Sequence, residues 1–494
     1  MKIEEKSSKR IIKKMRCPII LSTDFKQNTR LIASRLRANE SFDIIERRLC
    51  IHDTELCFFY IDGFVKDSEM QRVMQTFLSL KELGDALYTE RRLPYMEVEI
   101  TRDSQRIIDG VLSGQTALLA ETFIDEGILI DLRTYPARQT EEPDSDRVMQ
   151  GAHDGFVETL IMNTALIRRR IRDPRLTMRH ITLGGASKTD VVVCYMDGIA
   201  RGKNVEQIVK RLQELNPKSL TLGFQSLAES LIEGGWWNPF PKIRTTERPD
   251  TASAQLMEGS VLVICDTSPQ VMILPTTLFH YVEQADDYYF PPLTGSYLRI
   301  VRIFILLLSL VITPLWYLYI QRADSLPDAL RFLLPDNSGA LPIFLQLILA
   351  EFALDGLKIA SMNTPDMLSN SLSIVGGLIL GDFAVEVGWL CADVILYMAF
   401  VAIANFAQQN YELGYAVKFV RILTLIFVAL FDIIGFFVGL AVCFILLLSN
   451  KTVLGYRYLY PLIPFNAKGF FRIFIRRRKM DGKSSDSERK NEKI

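Results

Sequence analysis

The C-terminal half of the sequence contains apolar stretches that are too long for an ordinary soluble domain. They dominate from Tyr297 to Ser449, whereas before about residue 295 charges are frequent and apolar runs are short. Residues 301–320 provide about the 20 apolar positions that a helix needs to cross a bilayer. We therefore predict an integral membrane protein, in which an α/β N-terminal region precedes an all-α polytopic transmembrane bundle.

Charges around the first apolar run predict how it is oriented. Arg299 and Arg302 lie at its start, and aromatic residues crowd its far end, as they do at a membrane interface. The basic N-terminus has no apolar signal segment after it, and the tail sequence FFRIFIRRRK is strongly basic. We expect both ends to lie in the cytoplasm, with an even number of crossings between them.

The membrane domain is predicted to cover residues 296–450, with basic tails at 1–40 and 451–494. After the first span, three further candidates lie at 341–361, 368–388 and 394–407. A final stretch, 417–449, is too long for one crossing and barely long enough for two, and Asp432 and Gly435 lie near its middle. We interpret it as a hairpin or broken helix. Four spans with a re-entrant hairpin and six short spans both remain open.

Ionisable residues inside these spans are the best functional lead. Glu351, Asp355 and Lys358 follow at i, i+4 and i+7 on one helix stripe, and Asp382 and Glu386 are spaced i, i+4 in the next span. Charges in hydrocarbon cost several kcal/mol, so they usually face a bundle interior or a water-filled path. An ion path or subunit interface is one interpretation. The alternatives are structural pairing, as between Asp355 and Lys358, and interfacial anchoring of Lys358.

Two glycines, Gly377 and Gly381, precede the second acidic pair at small-xxx-small spacing. Such glycines allow helices to pack closely, and they can also serve as gating hinges. Close packing is the more common use of this spacing.

The N-terminal half contains two similar segments, CFFYIDGFVKDSEMQRVMQTF from Cys57 and VVCYMDGIARGKNVEQIVKRL from Val192. Each predicts a buried strand that ends in Asp-Gly and is followed by an amphipathic helix. A second pair of similar strand-turn-strand segments lies downstream of each. We predict two tandem α/β modules, at 41–140 and 176–295, that arose by duplication. The two Asp-Gly steps are interpreted as turns rather than ligand contacts.

The segment between the modules, 141–175, is predicted to be an acidic loop followed by a basic amphipathic helix. Four arginines mark the end of this helix: Arg168, Arg169, Arg170 and Arg172. They are candidates for contacts with lipid head groups or with the acidic loop, and the alternative is a solvated charged face.

Composition and motif searches exclude several classes of function. Lys+Arg and Asp+Glu are equal at 57 each, so no net charge attracts nucleic acid. The seven cysteines form no C-x-x-C pair and are interpreted as reduced thiols. GGASKT at 184–189 lacks the spacing of a phosphate-binding loop, and no hydrolase, zinc-protease or dinucleotide motif is present. We expect no enzyme activity, no cofactor and no metal.

Several sequence blocks resemble the GerA family of spore germination proteins. They are EEPDSDRVMQGAHDGFVETLIMNTALIRRRIRDP at 141–174, the segment 235–277, LPIFLQLILAEFALDGLKIASMNTP at 341–365 and YELGYAVKFVRIL at 411–423. The blocks occur in the family's order and cover most of the chain after about residue 40.

This resemblance implies an A-type germination protein of the spore inner membrane. It further implies an oligomeric, ion-conducting assembly, with the lipid bilayer, further copies of the chain and other germination membrane proteins as partners. The carboxylates of the second and third spans would then line or border a cation path. A non-conducting scaffold and a secondary transporter are the competing classes.

Overall fold

A computed structural model describes residues 20–51, 53–80, 83–93, 97–135, 146–215, 220, 223–232, 237–323, 328–335, 339–364, 376–377, 384–408 and 410–475. The chain divides into two compact units. The first comprises the described parts of Met1–Arg147, Ala152–Glu233 and Thr245–Pro275, and it contains the sheets. The second comprises Val148–Gly151, Gly234–Arg244 and the described parts of Thr276–Ile494, and it contains the long apolar helices.

The first sheet has five strands, β1 (Ile44–Ile51), β2 (Thr54–Ile61), β3 (Val98–Thr101), β4 (Thr116–Ala120) and β5 (Gly127–Ile130). Their order is β1-β2-β4-β5-β3, and each neighbouring pair is antiparallel. The helices that accompany them are α1 (Phe25–Leu36), α2 (Asp67–Ser79), α3 (Ala86–Glu90) and α4 (Ser104–Leu112). Both faces of the sheet are covered by apolar side chains, which explains why β4 and β5 are buried along their whole length.

The second sheet repeats this arrangement with β6 (Leu176–Leu183), β7 (Thr189–Met196), β8 (Arg244–Thr246), β9 (Val261–Cys265) and β10 (Val271–Leu274). Its order, β6-β7-β9-β10-β8, matches that of the first sheet position by position. The helices are α5 (Leu160–Arg170), α6 (Gly202–Glu214), α7 (Phe224–Leu231) and α8 (Pro249–Met257). The prediction of two modules of similar build is confirmed, and the shared strand order supports the duplication hypothesis.

The Asp-Gly steps that carried the sequence comparison form turns, as predicted. The Asp62 carboxylate accepts a hydrogen bond of 3.0 Å from the backbone N–H of Gly63. Gly63 and Gly198 have φ values of 79° and 72°, which glycine adopts without the strain that a Cβ atom would add.

In the second unit, the short helix α9 (Asp286–Tyr289) is followed by α10 (Pro292–Gln321), α11 (Ile343–Met362), α12 (Ala384–Glu386), α13 (Ala392–Phe406), α14 (Tyr411–Ser449) and α15 (Ala467–Phe474). Among the described residues, α10 and α14 are long and apolar enough to cross a membrane, and α13 is a shorter apolar helix. Fewer than a third of the residues in the most apolar windows of α10 and α14 are buried. Helices surrounded by lipid or by other subunits expose side chains in this way.

Helix α14 is a hairpin, which agrees with the interpretation of 417–449 as a hairpin or broken helix. The backbone of Asp432 leaves the helical region at φ 55° and ψ −133°. Beyond it the chain returns along the first arm, because a Cβ atom on Gly439 would lie 2.6 Å from the Thr424 side chain. Gly435 packs even more closely against the backbone of Phe427, so only glycine fits at this corner.

The first apolar helix begins earlier than the sequence indicated. Helix α10 starts at Pro292, and the helical unit already begins at Thr276. The segment that precedes α10 belongs there because Tyr281 and Val282 pack against the hairpin residues Leu413 and Val417. The sequence had assigned this segment to the second α/β module, 176–295.

Candidate functional site

Four ionisable side chains meet in the helical unit, two from α11 and two from the first arm of the α14 hairpin. Glu351 and Asp355 lie four residues apart on α11, and Lys418 and Arg421 lie three residues apart on α14. These spacings place each pair on one face of its helix. The two faces are brought together, so that the acidic stripe predicted from the sequence meets a basic stripe.

The deepest contact joins Arg421 and Glu351. Arg421 is fully buried and Glu351 is only 3% exposed. Arg421 Nε donates a hydrogen bond of 2.7 Å to Glu351 Oε1, and Arg421 Nη2 lies 2.7 Å from the same oxygen. Arg421 Nη1 donates to the backbone carbonyl of Ser309 on α10 at 3.2 Å. Arg421 therefore holds three helices together.

Lys418 completes the cluster. Its Nζ donates to the Glu351 backbone carbonyl at 3.0 Å and to the Asp355 carboxylate, and it lies 3.5 Å from Glu351 Oε2. The Asp355 side chain is 32% exposed, so the cluster reaches the surface of the single chain at this residue. Two carboxylates and two cations compensate one another, which keeps the cost of burying four charges low enough for a folded state.

Two buried polar atoms of the cluster, Glu351 Oε2 and Arg421 Nη2, make no hydrogen bond to any residue that the structure describes. Both close contacts of Arg421 fall on Glu351 Oε1, and Glu351 Oε2 accepts no hydrogen bond from any residue that the structure describes. A buried carboxylate oxygen without a hydrogen bond costs free energy. Glu351 Oε2 can therefore accept a further hydrogen bond.

Of the alternatives that the sequence left open for Lys358, a pair with Asp355 is not seen in the structure. Lys358 Nζ lies 4.2 Å from the ring centroid of Tyr411 and 4.7 Å from that of Tyr415. Lys418 occupies the Asp355 carboxylate, because it projects from the facing helix whereas Lys358 lies three residues along the same stripe. Lys358 is thus held by cation–π contacts at the start of the hairpin.

The third predicted span contributes no residue to the cluster among those that the structure describes. Asp382 and Gly381 lie outside the described residues, so their predicted roles remain predictions. Glu386 is exposed at the end of α12, and Gly377 has no atom within 4 Å of a built Cβ atom. The close packing expected at Gly377 is not seen within the described part of the single chain.

Lys418 and Arg421 were not singled out from the sequence as site residues. Their signal was available, because two cations three residues apart in an apolar stretch require buried acidic partners. The stripe of Glu351 and Asp355 is the matching signal in α11. Spacing alone gives a helix face, and it does not identify the helix that faces it.

The arginines at the end of α5 serve the N-terminal unit. Arg168 is fully buried, and its Nε and Nη2 donate to the two carboxylate oxygens of Asp43 at 2.8 and 3.1 Å. A head-group contact at Arg168 is therefore wrong, since the side chain is an internal link between the modules. Arg170 pairs with Asp154, and Arg169 lies over the ring of Tyr135 at 4.8 Å. For Arg169, Arg170 and Arg172 an outside partner remains a prediction.

The arginines that flank the first apolar run are also buried. Arg299 and Arg302 are 3% and 8% exposed, and both contact the buried carboxylate of Asp287, at 3.3 and 3.1 Å. Arg302 further donates to the Val282 carbonyl at 2.8 Å. They tie the start of α10 to α9. Within the described ranges, no group of three His, Cys, Asp or Glu side chains is arranged to hold a metal ion.

Comparisons with known proteins identify the family. A family model described as "Bacillus/Clostridium GerA spore germination protein" matches residues 31–487. Stage V sporulation protein AF of Bacillus subtilis (strain 168) is 38% identical over 462 residues, which are 92% of this chain and 93% of that protein. Spore germination protein KA of the same strain is 26% identical over 465 residues, 92% of this chain and 84% of that protein.

A solved structure covers the N-terminal part. The crystal structure of the N-terminal domain of the A subunit of the Bacillus megaterium spore germinant receptor GerK3 is 26% identical, with a TM-score of 0.41. It covers 53% of this chain and 98% of that chain. Within the family, the segments SKTDVVVCYMDGIA and PTTLFHYVEQADDYY indicate the branch of stage V sporulation protein AF, and the 38% identity agrees with that. The chain belongs to the GerA family and is a spore germination membrane protein.

Proposed function

We propose that this protein is a subunit of an oligomeric complex in the spore inner membrane that gates the release of cations during germination. It would cross the membrane several times, with the N-terminal unit on the cytoplasmic side. Further copies of the chain and other germination membrane proteins would be its partners. No catalytic step and no cofactor are part of this role.

The observation that carries the proposal is the buried cluster of Glu351, Asp355, Lys418 and Arg421. Ionisable groups between apolar helices are costly, and a protein that retains four of them uses them to hold or to change a helix arrangement. The spare Glu351 oxygen lies beside Lys418, and Asp355 connects the cluster to the surface. We infer that opening requires the pairs to exchange partners, which would free carboxylates for cations at that surface.

A non-conducting scaffold is the alternative. The specific observation that favours it is the internal compensation of charge, because two carboxylates and two cations of one chain neutralise one another. In that case the cluster would only fix the packing of α11 against the hairpin. Loss of the cluster would then reduce the amount of assembled protein rather than the rate of cation release.

Spores that carry Glu351→Gln test the proposal. The substitution keeps the shape of the side chain and removes its charge, so Arg421 and Lys418 are left with one acidic partner. We expect cation release after germinant addition to change in rate while the protein level in the inner membrane stays normal. Glu412→Gln is the matched control, since Glu412 is an exposed acid on the same hairpin arm.

Unchanged release at normal protein levels would contradict gating by this cluster. Reduced release in proportion to reduced protein would favour the scaffold. Purified protein in liposomes separates the two functions further, because only a conducting subunit produces cation flux without its partners. Flux coupled to a co-substrate would instead indicate a transporter.

A further inference from the structure

Helix α15 presents large apolar side chains to the outside of the single chain. Phe471 on the helix is 60% exposed, Phe465 just before it is 66% exposed and Ile475 just after it is 54% exposed. The opposite side is packed, since Ile473 is buried and Gly469 lies against Pro461. Helix α15 therefore has one face packed on the protein and an aromatic face that is largely exposed in the single chain.

The position of α15 in the helical unit is fixed by the start of α10. Arg299 Nη1 donates to the backbone carbonyl of Ile473 at 3.3 Å. Arg299 precedes the apolar run 301–320, so α15 lies at the level where the apolar part of α10 begins. From that level an exposed stripe continues along α10, with Tyr297 at 64% and Phe304 at 62% exposure. The aromatic face of α15 is thus placed at the edge of the apolar zone.

The charged residues in and around α15 are all basic. Residues 450–480 contain eight Lys or Arg and no Asp or Glu. Lys451 and Arg457 are exposed in the segment that leads to the helix, and Arg476, Arg477 and Arg478 follow it in the sequence. Basic residues next to an exposed aromatic face are the pattern of helices that lie in a membrane interface.

We infer that α15 is an interfacial helix that binds the anionic phospholipids of the leaflet at which α10 begins. Its phenylalanine side chains would enter the acyl boundary, and the flanking lysines and arginines would bind lipid phosphates. Each basic residue near an anionic surface strengthens such binding by about fivefold. The inference requires that α10 is inserted in the membrane, but it does not require ion conduction. It can therefore be tested separately from gating.

Spin labels on the full-length protein in bilayers test the inference. The background is Cys17→Ser with Cys50→Ser, because Cys50 is the exposed cysteine among those that the structure describes. Phe471→Cys carries the label, Leu307→Cys on α10 is the lipid reference, and Lys210→Cys in the N-terminal unit is the water reference. Leu307 is 59% exposed, and the Lys210 side chain is 76% exposed. Collision rates with oxygen and with a water-soluble nickel chelate are compared.

In bilayers that contain phosphatidylglycerol, the label at position 471 should resemble the one at 307, with oxygen access above nickel access. It should move toward the 210 value in pure phosphatidylcholine, and also when Arg476, Arg477 and Arg478 are all replaced by Gln. Nickel access at 471 in both lipids would overturn the inference. Shielding from both reagents would overturn it too, because it would assign the face to a protein partner. The label at 307 reports separately that the protein is inserted.

Discussion

Each of the two units contains a buried arginine–carboxylate pair, and the two pairs differ in geometry. In the N-terminal unit, Arg168 uses Nε and Nη2 to bind both oxygens of Asp43. In the helical unit, Arg421 directs Nε and Nη2 to a single oxygen of Glu351. The first is the bidentate arrangement that matches guanidinium to carboxylate, whereas the second leaves Glu351 Oε2 without a hydrogen bond and with only the Lys418 Nζ atom 3.5 Å away.

The hydrogen-bond partners around the two ion pairs also differ. Arg168 also donates to the backbone carbonyls of Asp173 and Leu176, and the Ser41 hydroxyl donates to Asp43 at 2.5 Å. The polar atoms of that pair are thus satisfied by a fixed set of partners, which suits a permanent link between the modules. Glu351 instead shares the cation Lys418 with Asp355. A carboxylate with spare capacity and a shared partner can change its pairing at lower cost.

The largest effect is expected for Arg168→Leu, which would break the permanent pair. It leaves Asp43 buried without a cation and should lower the free energy of unfolding of the N-terminal unit by about 4 kcal/mol. Denaturant unfolding, followed by a probe in that unit, measures the loss. The double variant R168L/D43L removes both charges and should recover most of the stability. A double variant as unstable as the single one would show that the hydrogen bonds to Asp173 and Leu176, not the ion pair, hold the modules.

The corresponding change in the helical unit is Arg421→Leu. It leaves Glu351 between apolar helices with Lys418 alone, at a cost of about 3 kcal/mol. The double variant E351L/R421L should recover the thermal stability of the reconstituted protein and still fail to regulate cation release. Recovery of both properties would make this pair a structural link like that of Arg168. Cation release is measured on spores, and thermal stability is measured on the reconstituted protein.

The sequence predicted the N-terminal architecture well because its signal is local. The repeated Tyr-x-Asp-Gly segments at Tyr60 and Tyr195 each contain a strand end and a turn, and the turn geometry depends on neighbouring residues. Two similar local patterns were enough to predict two similar modules. Asp43 was missed as the partner of Arg168 because the two residues are 125 positions apart in the sequence.

In the helical unit, periodicity correctly placed Glu351, Asp355 and Lys358 on one stripe, and Asp432 and Gly435 correctly marked the break of the hairpin. The partners on α14 could not be predicted in the same way. A period of 3.6 residues describes the face of one helix, whereas the identity of the facing helix depends on packing across the whole bundle. The contacts of Lys358 with Tyr411 and Tyr415 on α14 were therefore not predicted, and the sequence left its pairing with Asp355 and its interfacial anchoring open.

A substitution at the hairpin corner tests whether the first arm of α14 must be held in place for the cluster to form. A Cβ atom at Gly435 would overlap the backbone of Phe427, so Gly435→Ala should force the arms apart and cost about 2 kcal/mol. Gly414→Ala is the matched control, because no atom lies within 4 Å of its built Cβ atom. Thermal unfolding of the reconstituted variants makes the comparison. Equal behaviour would contradict the close packing of the arms.

The smallest effect is expected for His280 in the helical unit. Burial of the His280 ring lowers the pKa of this side chain below 6.5. The nearby Glu283 carboxylate raises the pKa, and the Arg244 guanidinium lowers it further. The ring must also be neutral at Nδ1, which accepts the backbone N–H of Thr277 at 3.1 Å. The unfolded chain therefore binds a proton more readily than the folded one.

Stability from His280 should consequently be complete above about pH 6.5 and decline as the pH falls below it, because protons then favour the unfolded state. His280→Gln should flatten this part of the stability curve of the helical unit. His180→Gln is the control, since His180 is partly exposed beside Asp190 in the second sheet. The measurement is the melting temperature between pH 5 and 8, a range set by the usual pKa of histidine. An unchanged slope in His280→Gln would show that carboxylates, rather than this histidine, govern the acid sensitivity of the helical unit.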